Sequence, residues 1–323
     1  MRITRHAAAL LLGFIAIQSA WSQAGSYPDR PIRMIAPSSA GGPTDVIARA
    51  VSSPLAEILG RQIVIDNRAG AAGLIGTDIV AKSTPDGYTL LFGFSGPLSI
   101  VPHIVKSVPY DPVKDFAHVS LVASAPYVLL ANPALPVKSV RELIDLAKSQ
   151  PGKLNFASGG NGTGVHMAGE LLNLAAGIHI VHVPYKGAGP GMTALLAGEV
   201  NIMFNGLSAA LPHIKSNRLR ALAAGGDKRS TLLPDLPTVA ESGLKFSIAG
   251  WYGISAPRGT PRPIVAKLRK DIVRALEAGE TRERFSALAV EAIGSTPEEF
   301  AIMLKEEVAK WGAVVKASGI KAQ

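Results

Sequence analysis

The sequence predicts an α/β protein built from two units in series, each with a largely parallel sheet flanked by helices. The chain has 323 residues, about twice the length of a usual single domain. From residue 31 onward, short β-type runs alternate with helical patterns, which is typical of α/β layers. A proline-rich stretch at residues 126–136 interrupts the alternation, and the same pattern then begins again.

The first unit shows three strand patterns and two helix patterns. Pro54 lies inside the first helix and is expected to kink it, while Gly60 is expected to end it. A Pro85-Asp86-Gly87 sequence has the composition of a type I or II turn before the third strand. The strands are predicted at 32–36, 63–66 and 89–92, and the helices at 44–59 and 74–82.

The second unit begins with a helix that has clear signals at both ends. Ser139 and Glu142 have the spacing of a capping box, and Pro151-Gly152 ends the pattern. Further strands are predicted at 154–157, 180–183 and 200–204, and further helices at 165–175, 191–197 and 207–216.

The last part of the chain, from residue 261, is predicted to be almost wholly helical. Thr296 and Glu299 form a second capping box with proline at the first helical position. One apolar stripe follows at helical spacing, and it is interpreted as core packing. The stripe consists of Phe300, Leu304, Val308, Trp311 and Val315.

Composition excludes several classes of protein. The chain is 47% hydrophobic and 18% charged, which is too apolar for a disordered protein. It contains no cysteine, which excludes disulfides, zinc-thiolate sites, cysteine nucleophiles and a lipoprotein anchor. The longest uncharged run in the body, residues 116–137, contains three prolines and is predicted to form strands and turns instead of a membrane helix.

The N-terminus has the pattern of an export signal. Arg2 and Arg5 precede an apolar stretch at 7–17, and Ser22-Gln23-Ala24 supplies small residues at cleavage spacing. Residues 1–24 are therefore predicted to be a cleaved signal peptide. A short membrane anchor is the alternative, but the stretch spans about half of a hydrocarbon core.

The positive charge is spread along the chain and does not indicate nucleic-acid binding. The net charge of +9 falls by two, to +7, when Arg2 and Arg5 leave with the signal. The densest basic stretch, at 267–274, is interrupted by Asp271 and contains no aromatic residue. It is interpreted as a solvated helix face, so no nucleic-acid partner is expected.

Three glycine-rich turns lead from a strand into a helix, at 38–44, 67–73 and 158–164. Each turn brings unpaired N–H groups and the positive end of a helix dipole to one place, where an anion can bind without arginine. Glycines that only permit tight turns are the alternative. The turns also carry hydroxyls, which favours a shared site for a carboxylate. These hydroxyls belong to Ser38, Ser39, Thr44, Ser158 and Thr163.

Other chemistries lack their motifs. The chain has neither a P-loop nor a dinucleotide fingerprint, so no cofactor is expected. Residues 93–97 resemble a nucleophile elbow around Ser95 but end in proline and lack a base partner. His166 with Glu170, or the histidines at 179 and 182, could ligate a metal, but no trio assembles, and His166 is interpreted as a pocket-rim or interior residue. A lyase or hydrolase that uses Ser95 and His166 remains the alternative function.

A set of motifs, in one order along the whole mature chain, carries a specific family resemblance. The motifs are 36–45 (APSSAGGPTD) with Ala48-Arg49, 67–70 (NRAG), 85–88 (PDGY), 183–187 (VPYKG), 211–214 (LPHI), 219–222 (LRAL), 233–239 (LPDLPTV) and 251–253 (WYG). The chain resembles the Bug-type receptors, the extracytoplasmic solute-binding proteins of tripartite tricarboxylate transporters.

The resemblance implies a two-lobed Venus-flytrap fold of the type II-like periplasmic binding class. Lobe I would comprise 25–125 plus 225–323 and lobe II 126–224, with the hinge near Ala125 and Gly225. The implied function is a periplasmic, monomeric receptor that is not an enzyme. It would close on a small carboxylate and pass it to a large and a small membrane subunit, or alternatively would signal through a sensor partner.

The resemblance also implies which loops form the pocket. In lobe I these are Ser38, Ser39, Gly41, Gly42, Thr44, Asn67, Gly70, Ala71, Gly93, Phe94 and Ser95, and in lobe II Ser158, Gly159, Thr163, His166, Pro184, Tyr185, Lys186 and Asn205. This chain has Asn201 and Asn205 where many relatives have aspartate. An amino-acid ligand is therefore disfavoured, since an ammonium group needs a carboxylate partner.

Overall fold

The structure is a computed structural model that describes residues 27–320 except 39, 42 and 186. The signal peptide predicted at 1–24, and the site residues Ser39, Gly42 and Lys186, lie outside the described residues. The described chain forms ten strands in one sheet, in the order β2-β1-β3-β9-β4-β7-β5-β6, with β8 and β10 both paired to β4. The α/β prediction is confirmed.

The strands, in chain order, are β1 Ile32–Ala36, β2 Ile63–Asn67, β3 Thr89–Phe94, β4 Phe116–Ala131, β5 Asn155–Ser158, β6 Val181–Pro184, β7 Ile202–Gly206, β8 Arg220–Ala224, β9 Ala249–Pro257 and β10 Glu291–Ala292. The α-helices are α1 Pro43–Leu59, α2 Leu74–Ala81, α3 Val140–Ser149, α4 Gly164–Ala176, α5 Ala188–Ala197, α6 Leu207–Lys215, α7 Arg262–Glu277, α8 Gly279–Ala287 and α9 Pro297–Ala317. Shorter 3₁₀ helices span Ala71–Gly73, Val101–His103 and Ala240–Ser242, and a π-helix spans Gly96–Ile100.

The first half of the sheet is built around β1, which pairs in parallel with β2 and with β3. Helices α1 and α2 connect these strands near the predicted positions. Helix α1 runs without interruption through Pro54. The parallel pairing places the loops after β1, β2 and β3 at one edge of the sheet.

Strand β4 joins the two halves of the sheet. It pairs antiparallel with β9 from Phe116 to Pro126, and with β7 from Tyr127 to Ala131. Residues 116–131 are thus one continuous strand, and the prediction of strands and turns for this stretch was wrong. The long strand tolerates Pro126 because the pairing changes partner at that point.

The prediction of a largely parallel sheet was also wrong, because β4 and β9 run antiparallel to their neighbours. The sequence analysis did not identify β8 or β9. The second half of the sheet keeps the predicted parallel arrangement, with β5 paired to β6 and to β7.

Side-chain caps fix where the predicted helices begin. The Ser139 hydroxyl accepts a hydrogen bond from the Glu142 N–H at the start of α3. Thr296 and Glu299 make both bonds of the capping box at the start of α9. Both cap predictions are confirmed.

Three apolar clusters hold the fold together. One lies under α1, α7 and α8 on the first half of the sheet, and another under α5 and α6 on the second half. The third extends across both halves beneath α2, α3, α4 and α9. In α9, Phe300, Leu304, Trp311 and Val315 are buried and Val308 is partly buried, so the stripe is core as predicted. Of the helices in residues 27–320, none combines the length and apolar character that crossing a bilayer requires.

Candidate functional site

The loop after β1 is held by the carboxylate of Asp45, in the first turn of α1. Asp45 Oδ2 accepts a hydrogen bond of 2.8 Å from the Gly41 N–H, and its Oδ1 lies 3.0 Å from Arg49 Nε. Burial alone would raise the pKa of Asp45, but the bonds from Arg49 and Gly41 outweigh it and hold the pKa below its ordinary value. Thr44, next to Asp45, is buried. The loop is therefore ordered by an ionised side chain.

Two buried polar atoms lie at the ends of β1 and β2 without a hydrogen-bond partner in the described structure. They are Ser38 Oγ and Asn67 Nδ2. Ala36 and Asn67 are directly paired in the parallel register, and Ser38 lies two residues beyond Ala36. Both groups can donate a hydrogen bond, so the edge of the first half carries two donors that lack an acceptor.

The loop after β2 has an unusual backbone. Ala71 and Ala72 have φ of 45° and 54°, in the left-handed region between Gly70 and Gly73, which also have positive φ. An L-residue pays about 1–2 kcal/mol to adopt this conformation. Strain of this kind is often found at functional sites.

The loop after β5 is closed by its own hydroxyls. Ser158 Oγ accepts a bond of 3.1 Å from the Gly160 N–H, and Thr163 Oγ1 donates 2.8 Å to the Gly160 carbonyl. Thr163 also caps α4 by accepting from the His166 N–H. The structure uses both hydroxyls to shape the loop, and their role as ligand donors stays a prediction.

Two histidines stack beneath this loop. The rings of His166 and His182 are 3.9 Å apart between centroids and nearly parallel. Ser158 Oγ lies 2.6 Å from His182 Nε2. Burial, and then the neighbouring His166, lower the pKa of His182 to about 4, so the ring is neutral at pH 7. Glu170 lies one turn further along α4, with Oε1 3.7 Å from His166 Nε2.

A cavity of about 670 Å³ lies between residues of the two halves and includes this histidine pair. On the first half it is lined by Ala71, Ala72, Leu74, Val101, Ile104 and Val105, on the second half by Asn161, Gly162, His166, Glu170 and His182, and at the end of the chain by Ser318, Gly319 and Ile320. One wall is therefore apolar and the opposite wall polar.

The predicted site residues fall into three groups. Ala71 and His166 line the cavity. Ser38, Thr44 and Asn67 lie at the strand edge of the first half, at the end of β1 and β2. The remaining described ones surround these positions: Gly41, Gly70, Gly93, Phe94, Ser95, Ser158, Gly159, Thr163, Pro184, Tyr185 and Asn205.

Two predicted pairings are not made. The Nδ1 of His166 accepts from the Gly162 N–H, and no hydrogen bond joins Ser95 to His166 among the described residues. Asn201 exchanges bonds with Asn155 through both side chains and lies at the opposite end of β7 from Asn205. The argument about a missing counter-charge therefore concerns Asn205 alone.

The sequence analysis missed most of the cavity. The His166 and Glu170 spacing was noticed, but only as a possible metal site, and within residues 27–320 as described no three acidic or histidine residues form a metal-binding group. His182 could have been found, because alternation along β6 turns it away from the exposed His179. The apolar wall at 101–105 carried no signal.

Comparison with known proteins followed from this geometry. Residues 47–320 match the family model described as "Tripartite tricarboxylate transporter family receptor". Protein BugT of Bordetella pertussis is 40% identical over 300 residues, which cover 92% of each chain. A UPF0065 protein of Pseudomonas sp. strain P51 is 38% identical over 292 residues, 90% of this chain and 87% of the relative.

Solved structures agree in fold over nearly the whole length. A Rhodopseudomonas palustris protein with adipate has a TM-score of 0.82 at 34% identity, covering 92% of this chain and all of the other. MatC from the same organism, with bound malate, has a TM-score of 0.78 at 34% identity, covering 90% of this chain and all of the other. The periplasmic binding protein BugD has a TM-score of 0.79 at 35% identity, covering 92% and 100%. The fold is the two-lobed periplasmic binding fold that the sequence predicted.

Proposed function

The chain belongs to the tripartite tricarboxylate transporter family of receptors, and from that premise we propose that it captures a small carboxylate between two lobes and delivers it to a permease of one large and one small membrane subunit. The family consists of solute-binding receptors and not of enzymes. The adipate and malate seen in two relatives support a carboxylate as the ligand class.

The observation that carries the proposal is the pair of buried donors without partners, Ser38 Oγ and Asn67 Nδ2. A buried donor without an acceptor costs about 1–3 kcal/mol. A carboxylate offers several acceptor lone pairs and would satisfy both groups. The unpaired N–H groups at the start of α1, which follows the same loop, favour an anion there as well.

We place the lobes at 25–125 plus 225–323 and at 126–224. The change of β4 pairing at Pro126 and Tyr127 supports this division. At the second crossing, the Gly225 N–H donates to the Tyr127 carbonyl and the Ile248 N–H to the Gly225 carbonyl. A Cβ at Gly225 would lie 3.0 Å from the Ile248 carbonyl oxygen, so glycine allows the two crossings to pack closely.

We place the mature protein in the periplasm, as a monomer released from residues 1–24. The periplasmic binding fold of its relatives supports this location.

Isothermal titration with succinate and adipate, and with their neutral diamides as matched controls, tests the function. We expect at least one carboxylate to bind and neither diamide, because an uncharged amide gains little from the helix dipoles. Small-angle scattering should show a smaller radius of gyration at saturation, since contacts from both lobes favour the closed state. Diamides that bind as tightly as the acids, or a radius that does not change, would contradict the proposal.

A further inference from the structure

The inter-lobe cavity has a polar wall with an unusual charge balance. Its polar residues all come from lobe II, on α4, the loop before it and β6: Asn161, His166, Glu170 and His182. No lysine or arginine lines this cavity. The opposite wall is apolar, so any charge on the polar wall acts in a partly desolvated space.

The proton positions on this wall follow from its hydrogen bonds. His166 Nδ1 accepts from the Gly162 N–H at 3.1 Å, so in the neutral ring the proton is on Nε2. That nitrogen faces Glu170 at 3.7 Å, which is too long for a hydrogen bond. His182 is neutral, as shown above. Glu170 is therefore the only formal charge on the wall, and it is negative.

The Glu170 carboxylate is largely buried, with 17% of its side chain exposed. Within the described chain no donor lies at hydrogen-bonding distance from it, and His166 is its one near neighbour of opposite polarity. A carboxylate accepts hydrogen bonds and cannot donate them, and its burial is costly without donors. The open oxygens thus call for a donor from whatever fills the cavity.

From this arrangement we infer that Glu170 selects ligands that carry a hydrogen-bond donor, a hydroxyl or an ammonium group, beside their carboxylate. This inference rests on the proposed function. The ligand carboxylate is held by the donors of the strand-edge loops, and the donor group on its skeleton points to Glu170. A second carboxylate directed at Glu170 would be repelled, so an unsubstituted diacid is the poorer ligand.

Two series of acids with matched skeletons test the inference on the mature full-length protein after bound solutes are removed. One series is succinate, malate and aspartate, and the other is adipate, 2-hydroxyadipate and 2-aminoadipate. In each series only one substituent changes, from hydrogen to hydroxyl to ammonium. We expect a donor-bearing member to bind about tenfold to a hundredfold more tightly than the unsubstituted acid, as expected for a hydrogen bond to a charged group.

Two variants of Glu170 identify the residue responsible. Glu170→Ala should abolish the preference in both series. Glu170→Gln keeps an acceptor oxygen but loses the charge, so it should reduce preference for the ammonium more than for the hydroxyl. Glu283→Gln removes an equal charge on the exposed surface of α8 and should leave the preference unchanged. Thermal melting of each variant verifies that it is folded.

The outcomes separate this inference from the proposed function. If no acid binds, the proposed function fails and the inference fails with it. If acids bind but unsubstituted and donor-bearing members bind equally, the inference is overturned while the proposed function stands. A preference that persists in Glu170→Ala would also overturn it.

Discussion

At the scale of single residues, Ser38 is the site side chain whose role can be tested most directly. Its buried hydroxyl has no partner, so removing it relieves an unsatisfied group. We expect Ser38→Ala to leave the free energy of unfolding of the ligand-free protein unchanged or slightly higher. The same change should weaken carboxylate binding by about 1–3 kcal/mol, since the ligand loses a donor. Urea unfolding and isothermal titration measure the two effects.

Ser52→Ala is the matched control for this prediction. Ser52 is also buried, in α1, but its hydroxyl donates 2.7 Å to the Ala48 carbonyl. We expect this change to lower stability by about 0.5–1.5 kcal/mol and to leave ligand affinity unchanged. A Ser38→Ala protein that binds its carboxylate normally would remove Ser38 from the site.

His118 makes stability depend on pH. It is 7% exposed, and burial lowers its pKa to about 4, whereas an unfolded histidine has a pKa of about 6.5. Between these values the unfolded chain binds a proton that the folded protein does not. The free energy of unfolding should therefore fall as pH drops from 7 to 5, by up to about 2 kcal/mol from this residue.

The difference between unfolding free energies at pH 7 and pH 5 measures this effect. We expect His118→Gln to reduce that difference, whatever its effect on absolute stability. His179→Gln, at an exposed position, should not change it. His182 acts in the same direction, because its pKa is also lowered to about 4. An unchanged difference in His118→Gln would show that His118 does not set the pH dependence.

At the scale of elements, the loop between β2 and α2 stores backbone strain. Ala72 is left-handed, with φ of 54° and ψ of 29°. Glycine adopts this conformation without the Cβ penalty, so we expect Ala72→Gly to raise the free energy of unfolding by up to about 1 kcal/mol. Ala266→Gly, in the right-handed helix α7, should lower it by about 0.5–1 kcal/mol. Urea unfolding that gave both changes the same sign would contradict this account of the loop.

Other elements show where local rules were sufficient. The starts of α3 and α9 were predicted closely, because a cap is formed by residues three positions apart in one turn. Strand β9 was missed, because its residues include glycines and lack a clear alternation, and pairing with β3 and β4 stabilises it from both sides. Its existence depends on strands that are distant in sequence.

At the scale of the whole molecule, Gly162 is where the two lobes touch beside the cavity. A Cβ at this position would overlap Cδ1 of Ile104 from the other lobe. We expect Gly162→Ala to hinder closure and to weaken ligand binding by about fivefold to a hundredfold, from the 1–3 kcal/mol typical of overpacking. Small-angle scattering at saturating ligand should show a larger radius of gyration than for the unsubstituted protein.

Two further variants separate the clash from other effects. Gly162 has a φ of 76°, so alanine there also strains the backbone. Adding Ile104→Ala removes the clash but not this strain, and we expect the double variant to regain closure. Gly189→Ala, where nothing lies within 4 Å and the backbone is helical, should leave closure unchanged. A double variant that stays as open as Gly162→Ala would show that the clash is not responsible.

The sequence by itself determined the α/β class, most helices and parallel strands, the glycine-rich turns and the family. These features depend on short-range properties: hydrophobic periodicity, capping spacing and turn residues that act within a few positions. Tertiary structure decided the antiparallel crossing strands, the stacking of His166 on His182 and the position of Glu170 opposite an apolar wall. Such contacts join segments far apart in the chain, and packing between elements selects them, so no local pattern encodes them.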